Sequence, residues 1–86
     1  MKFAVIANPQ KYSVKEPFID LLTWADDHEV KVYFCSDLKE LYDGKDHPSA
    51  IVVENEELAI DHADIIIALG GDGTMLYTAR LMKSIQ

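Results

Sequence analysis

The run Ile65-Ile66-Ile67-Ala68-Leu69, passing without a polar break into Gly70-Gly71-Asp72-Gly73-Thr74, constrains the fold of this chain more than any other feature. Five apolar residues, three of them β-branched and none alternating with polar ones, describe a strand covered on both faces. Strands of that kind belong to parallel sheets sandwiched between helices. Phe3-Ala4-Val5-Ile6-Ala7 has the same two-sided apolarity and ends at Asn8-Pro9. Two such strands, far apart in sequence, predict an α/β chain.

The intervening residues agree. Ser13 and Glu16 have the spacing of a Ser-x-x-Glu capping box, with Pro17 expected in the first turn, where a missing N–H is free of cost. Phe18, Leu21, Leu22 and Ala25 follow as one helical stripe, stopping near Asp27-His28, with Trp24 off the stripe, where a further domain or subunit is expected to meet it. Val30–Cys35 reads as a second strand. Leu38, Leu41 and Tyr42 line a short helix broken by Asp43-Gly44; residues 46–49 are loop, and Ile51–Val53 is a short strand or extended arm. Asn55 caps a brief helix ending near His62, and a last helix carries Met75, Leu76, Ala79 and Met82. The expectation is a Rossmann-like, right-handed parallel sheet of three principal strands with flanking helices. Its edges would expose apolar runs, so more chain or a partner is expected to complete it.

Composition narrows the function classes. With 86 residues the chain is at most one small domain, and its 49% hydrophobic content argues against disorder. A formal net charge of −7 disfavours nucleic acid and anionic membrane as partners, because both recruit basic patches. Cys35 is the single cysteine, so neither an intrachain disulfide nor a cysteine metal cluster is available. No apolar run approaches a signal-peptide core or a membrane span, and a cytoplasmic protein is expected.

In parallel α/β sheets ligands bind at the carboxyl ends of the strands, and residues 70–74 stand at such an end, before a helix. Glycines there permit positive φ and close approach of a ligand to the backbone. Their amides and the helix's free N–H groups suit phosphate, with Thr74 capping the helix or donating to a phosphate oxygen. Asp72 is out of place in a purely phosphate-holding loop, since its carboxylate repels phosphate. It fits a loop that also receives an attacking hydroxyl or holds Mg²⁺, as phosphoryl transfer requires. The same residues equally describe a tight turn in which Asp72 only caps the helix. The spacing matches neither a Walker loop nor the dinucleotide Gly-x-Gly-x-x-Gly fingerprint.

Leu69-Gly70-Gly71-Asp72-Gly73-Thr74-Met75-Leu76, preceded by Ala63-Asp64-Ile65-Ile66-Ile67 and followed by Ala79-Arg80, resembles the signature of NAD kinases. The Gly-Gly-Asp-Gly-Thr core is also similar to that of diacylglycerol- and sphingoid-type lipid kinases and, with variation, phosphofructokinases. Lipid kinases, however, have glycines where this chain has Gln10-Lys11-Tyr12-Ser13, and phosphofructokinases have a glycine-rich first loop.

The resemblance implies an enzyme that phosphorylates the 2′-hydroxyl of the adenosine ribose of NAD to give NADP, with ATP or polyphosphate as donor and Mg²⁺. Asp72 would face that hydroxyl as the catalytic base or orienting group. Gly73 would touch the same dinucleotide and Leu76 its adenine, while Gly70, Gly71 and Thr74 would line the donor's phosphates. Tyr77 would stand by the ligand, where some relatives carry a basic or polar residue. The family's second, β-rich domain is not among these residues. Residues 1–86 would therefore be an N-terminal nucleotide-binding domain, incomplete and inactive alone, whose intact parent forms a dimer or tetramer.

Two other readings stand beside this one: a lipid kinase using the same loop, and a non-catalytic flavodoxin-like binding module. His28, His47 and His62 read as structural, Cys35 as a small core residue, and Glu54, Glu56 and Glu57 as a solvated helix start. Asn8-Pro9 reads as a strand terminator or a phosphate contact.

Overall fold

A computed structural model describes residues 1–8, 12–41, 46–70 and 79–80. Its elements are β1 (Lys2–Ala7), α1 (Tyr12–His28), β2 (Lys31–Cys35), a 3-10 turn (Ser36–Leu41), β3 (Ala50–Val53), α2 (Glu56–His62) and β4 (Ile65–Leu69). The strands form one sheet in the order β3-β2-β1-β4. Every pairing is parallel. The expected Rossmann-like α/β architecture is thus present, with four strands rather than three principal ones. Residues 51–53, a short strand or extended arm by sequence, are part of β3, which pairs with β2 from Val32↔Ala50 to Cys35↔Val53.

α1 covers one face. Phe18, Leu22 and Ala25 are fully buried against Phe3, Val5, Val32 and Phe34, Leu38 of the 3-10 turn closes the end, and Val14 of the same helix is also buried. Phe18 meets Phe34 edge to face at 5.0 Å, the geometry that ring quadrupoles favour. The shorter α2 covers part of the opposite face through Ala59 and Ile60, and His62 stacks on Tyr33 at 4.9 Å.

The helix ends follow local chemistry. Asn55 caps α2, its Oδ1 accepting from the Leu58 N–H at 2.9 Å, as expected. α1 ends at His28, with Glu29 left-handed at φ 57° and the Val30 N–H donating to the Ala25 carbonyl at 3.1 Å. That six-residue closure, with apolar Val30 over Ala25, is a Schellman stop made without its usual glycine. The start of α1 corrects the capping-box expectation. The helix begins at Tyr12, so Ser13 lies inside it and Pro17 falls beyond the first turn. α1 therefore forgoes one i→i−4 bond near its start.

Trp24, expected to meet a further domain or subunit, is 43% exposed and has partners within this chain. It stacks on Phe3 at 6.0 Å and on His28 at 4.3 Å. The His28 Nδ1–H donates to the Trp24 carbonyl at 2.7 Å. Cys35 is half-buried rather than fully in the core, its thiol 3.7 Å from the Glu54 carbonyl.

Candidate functional site

The two α-helical connections of the sheet depart in opposite directions. From β1 the chain crosses through α1, on one face, to β2; from β3 it returns through α2, on the other face, to β4. β1 and β4 are therefore the neighbours at which the winding reverses. The crevice outside their carboxyl ends is where an open α/β sheet offers its binding site.

Ala7 pairs with Leu69, so Asn8 and Gly70 leave the sheet side by side. A backbone clasp at the other end fixes this register. The Asp64 N–H donates to the Lys2 carbonyl at 2.7 Å, and the Lys2 N–H to the Asp64 carboxylate at 3.0 Å. Gly70 is thus delivered to the reversal point by pairing along the whole of β4.

Gly70 is exposed and has φ 136°. An L-residue is strained at that angle, so the turn needs glycine at this position. The missing side chain also leaves the backbone open to close approach. Gly70 is the one member of the expected site among the described residues. Gly71, Asp72, Gly73, Thr74, Leu76 and Tyr77 lie outside them, as do Met75 and Met82 of the expected last helix, while Ala79 and Arg80 are helical. Asn8 is exposed at the end of β1, next to Gly70 in register, while Pro9 falls outside the described residues.

The same rim carries a feature that reading the sequence for motifs missed. A cavity of about 680 Å³ lies at the carboxyl ends of β2 and β3, lined by Ser36, Val52, Val53, Glu54 and Leu58. Ser36 and Glu54 each follow directly on a strand, which was the signal available. Glu54 had been read only as part of a solvated helix start.

A second cluster sits at the opposite, amino-terminal rim. The Asp26 carboxylate accepts from the Ser49 N–H at 2.9 Å and, being an acceptor only, from the His47 Nδ1–H at 2.7 Å. The Ser49 hydroxyl donates to the Leu22 carbonyl at 3.2 Å. Burial would raise the Asp26 pKa, but the Ser49 hydrogen bonds and the nearby His47 outweigh it and hold the carboxyl below its ordinary value. Despite its Asp-His-Ser composition this is no nucleophile relay, because the serine hydroxyl is turned onto helix backbone. It straps residues 47–49 to α1. The small cavity beside it, lined in part by Asp26, Lys31 and Pro48, is at the end of the sheet away from the glycine turn.

Among the described residues no three His, Cys, Asp or Glu side chains converge on a cation site. No helix among them is long and apolar enough to cross a membrane.

Comparison with known proteins agrees with this geometry. Residues 3–86 match the family model described as the ATP-NAD kinase N-terminal domain. A protein named NAD kinase from Acidobacterium capsulatum is 32% identical over 80 residues, which is 93% of this chain and 26% of that relative. The chain thus spans about a quarter of the length of the curated relative it matches. No solved structure matches significantly.

Proposed function

The chain belongs to the ATP-NAD kinase N-terminal domain family, and from that premise we propose that it is the donor-binding part of an enzyme phosphorylating the 2′-hydroxyl of the adenosine ribose of NAD. The carrying observation is Gly70, held at φ 136° on the exposed carboxyl rim where the winding reverses. It opens directly into Gly71-Asp72-Gly73-Thr74. Amides of this turn, with Gly70, Gly71 and Thr74 against the donor's phosphates, replace water around their charge without reorganising during transfer. Asp72 orients the attacking ribose hydroxyl and accepts its proton late, since a loose transition state needs little early deprotonation. Gly73, Leu76 and Tyr77 line the acceptor dinucleotide.

ATP or polyphosphate serves as donor. Mg²⁺ would be carried chiefly by donor phosphate oxygens, with Asp72 the nearest acid in sequence that would hold it. When bound it neutralises charge on the transferring group. The remaining NAD contacts come from a second domain in a longer protein, so the 86 residues alone bind donor without turnover. We propose a cytoplasmic, oligomeric enzyme as their parent.

The test is NADP formation by the intact enzyme with Asp72→Asn. Loss of at least about a hundredfold in kcat, within the range that acid–base groups contribute, is expected. Unchanged turnover would discard the assignment, and so would NADP production by the 86-residue chain on its own for its inactivity.

A further inference from the structure

We propose that the Asp64 carboxylate selects the register of β4 on β1 and so acts as a positioning residue for Gly70. This rests on the kinase reading above for its link to turnover; the choice of register itself does not. Burial cannot make that choice. A strand with one polar face is fixed by burial, because a slip of one residue turns its apolar set to water. β4 has no polar face: Ile65, Ile66, Ile67, Ala68 and Leu69 offer aliphatic groups to both sides. None of the five is fully buried, so no core socket demands one side chain rather than its neighbour. Phe3-Ala4-Val5-Ile6-Ala7 of β1 is equally apolar on both faces. Parallel ladder bonds are evenly spaced and can be remade after a slip. Yet one residue of slip carries Gly70 about 3.3 Å along the strand axis, away from Asn8.

The selective contact lies at the other end of the strand. Asp64 directly precedes β4, and its N–H donates to the Lys2 carbonyl at 2.7 Å, a bond that any residue but proline could make. The side chain adds what only a short acceptor can. Its Oδ2 accepts from the Lys2 N–H at 3.0 Å, so two bonds close a ring on one residue and mark one alignment. Lys2 is fixed in turn on its other side, where it pairs with Lys31, whose N–H donates to the Met1 carbonyl at 3.2 Å. β1 is thereby pinned to β2, and Asp64 passes that reference on to β4. α2 is the rival anchor, since it ends at His62 with Ala59 and Ile60 buried. Helix ends fray, however, and a last turn that gains or loses a residue would let β4 slide. Asp64 is exposed, so its bond serves alignment more than overall stability.

Asp64→Ala and Asp64→Asn are compared by NMR in the full isotope-labelled chain and by NADP formation in the intact enzyme. Asparagine keeps a side-chain oxygen for the Lys2 N–H; alanine does not. In Asp64→Ala the Lys2 amide should exchange at least about tenfold faster. The Phe3–Ile65 and Ala7–Leu69 cross-strand contacts should weaken in favour of offset pairs, with the urea midpoint little changed. Turnover should fall about tenfold in kcat, as a small misplacement of a binding group does. Asp64→Asn should restore both contacts and turnover. Native contacts retained in Asp64→Ala would give the register to α2 and overturn the proposal. An Asp64→Ala chain that does not fold would also overturn it, because the carboxylate would then carry the fold rather than its alignment. So would an Asp64→Asn variant as damaged as the alanine one. Shifted contacts with normal turnover would end the positioning role. An unmodified parent that makes no NADP would sink the kinase reading and that role with it, while the contacts would still report the register.

Discussion

β1 and β4 are near twins in sequence, Phe-Ala-Val-Ile-Ala beside Ile-Ile-Ile-Ala-Leu, paired residue for residue. Their environments differ completely. Ala4, Val5 and Ile6 of β1 have 1% exposure or less, whereas Ile65 of β4 is 44% exposed and Ile66–Leu69 are all half-buried. β1 has a strand on each side and helices over both faces; β4 pairs with β1 alone among the described strands and is only partly covered. Apolar sequence thus specifies what a strand is able to bury, and sheet position decides how much it does. Stability should be concentrated along β1 and α1, while β4 is held mainly to present Gly70.

The sharpest way to break that contrast is to empty the β1 side. Phe18 is fully buried between the sheet and α1 and packs on Phe34. Phe18→Ala should cost about 3–5 kcal/mol, enough to unfold most of a domain of this size. Urea unfolding followed by circular dichroism reads it. A loss under 1 kcal/mol would mean the core is not where burial places it.

Next in size is Gly70→Ala, on the β4 side. A side chain at φ 136° should cost about 1–3 kcal/mol of local strain. If β4 chiefly presents the turn, the strain should appear as lost Mg·ATP binding more than as a lowered urea midpoint. A variant that binds ATP normally would show that the turn does not need this backbone angle.

The Asp26 strap gives a pH test of the sealed side. A carboxyl whose folded pKa is depressed stabilises the fold fully above its ordinary value of 3.8, and that contribution is lost as pH falls through the lower folded value. Asp26→Ala should therefore cost about 1–3 kcal/mol near neutral pH, because it strands the Ser49 N–H and the His47 donor. It should also flatten the acid limb of the stability profile below pH 4. An acid limb identical to that of the unmodified chain would remove Asp26 as its cause.

The contrast also marks how far the sequence was legible. The two apolar strand runs, the α1 stripe, the Asn55 cap and the end of β4 at Gly70 are local signals, and each stands where reading placed it. β3 was ambiguous because Ala50–Val53 is four residues long, and only pairing with β2 makes it a strand. Ser13 and Glu16 satisfied a capping pattern, yet the helix already begins at Tyr12, and nothing local forbids that. Trp24 on Phe3, and Asp26 on His47 and Ser49, join residues more than twenty positions apart. No periodicity reports such contacts. Of the candidate site, Gly70 and its place on the rim followed from the motif. The cavity beside Glu54 did not, since it exists only once β2 and β3 end together.

The smallest expected effect tests the exposed side directly. Ile65 opens β4, is nearly half exposed, and pairs in register with Phe3, with the backbone clasp of Lys2 and Asp64 just before it. Replacing it with Thr keeps β-branching, and so strand preference, while removing apolar surface that water already reaches. Ile65→Thr should shift stability by no more than about 0.5 kcal/mol and leave Mg·ATP binding intact. It should also lower self-association, because an apolar edge strand is a template for pairing with another chain. Sedimentation velocity of both proteins, beside their urea midpoints, separates the two effects. A destabilisation comparable to that of Phe18→Ala would mean that β4 carries the core as β1 does, and the division of labour between the two strands would fall.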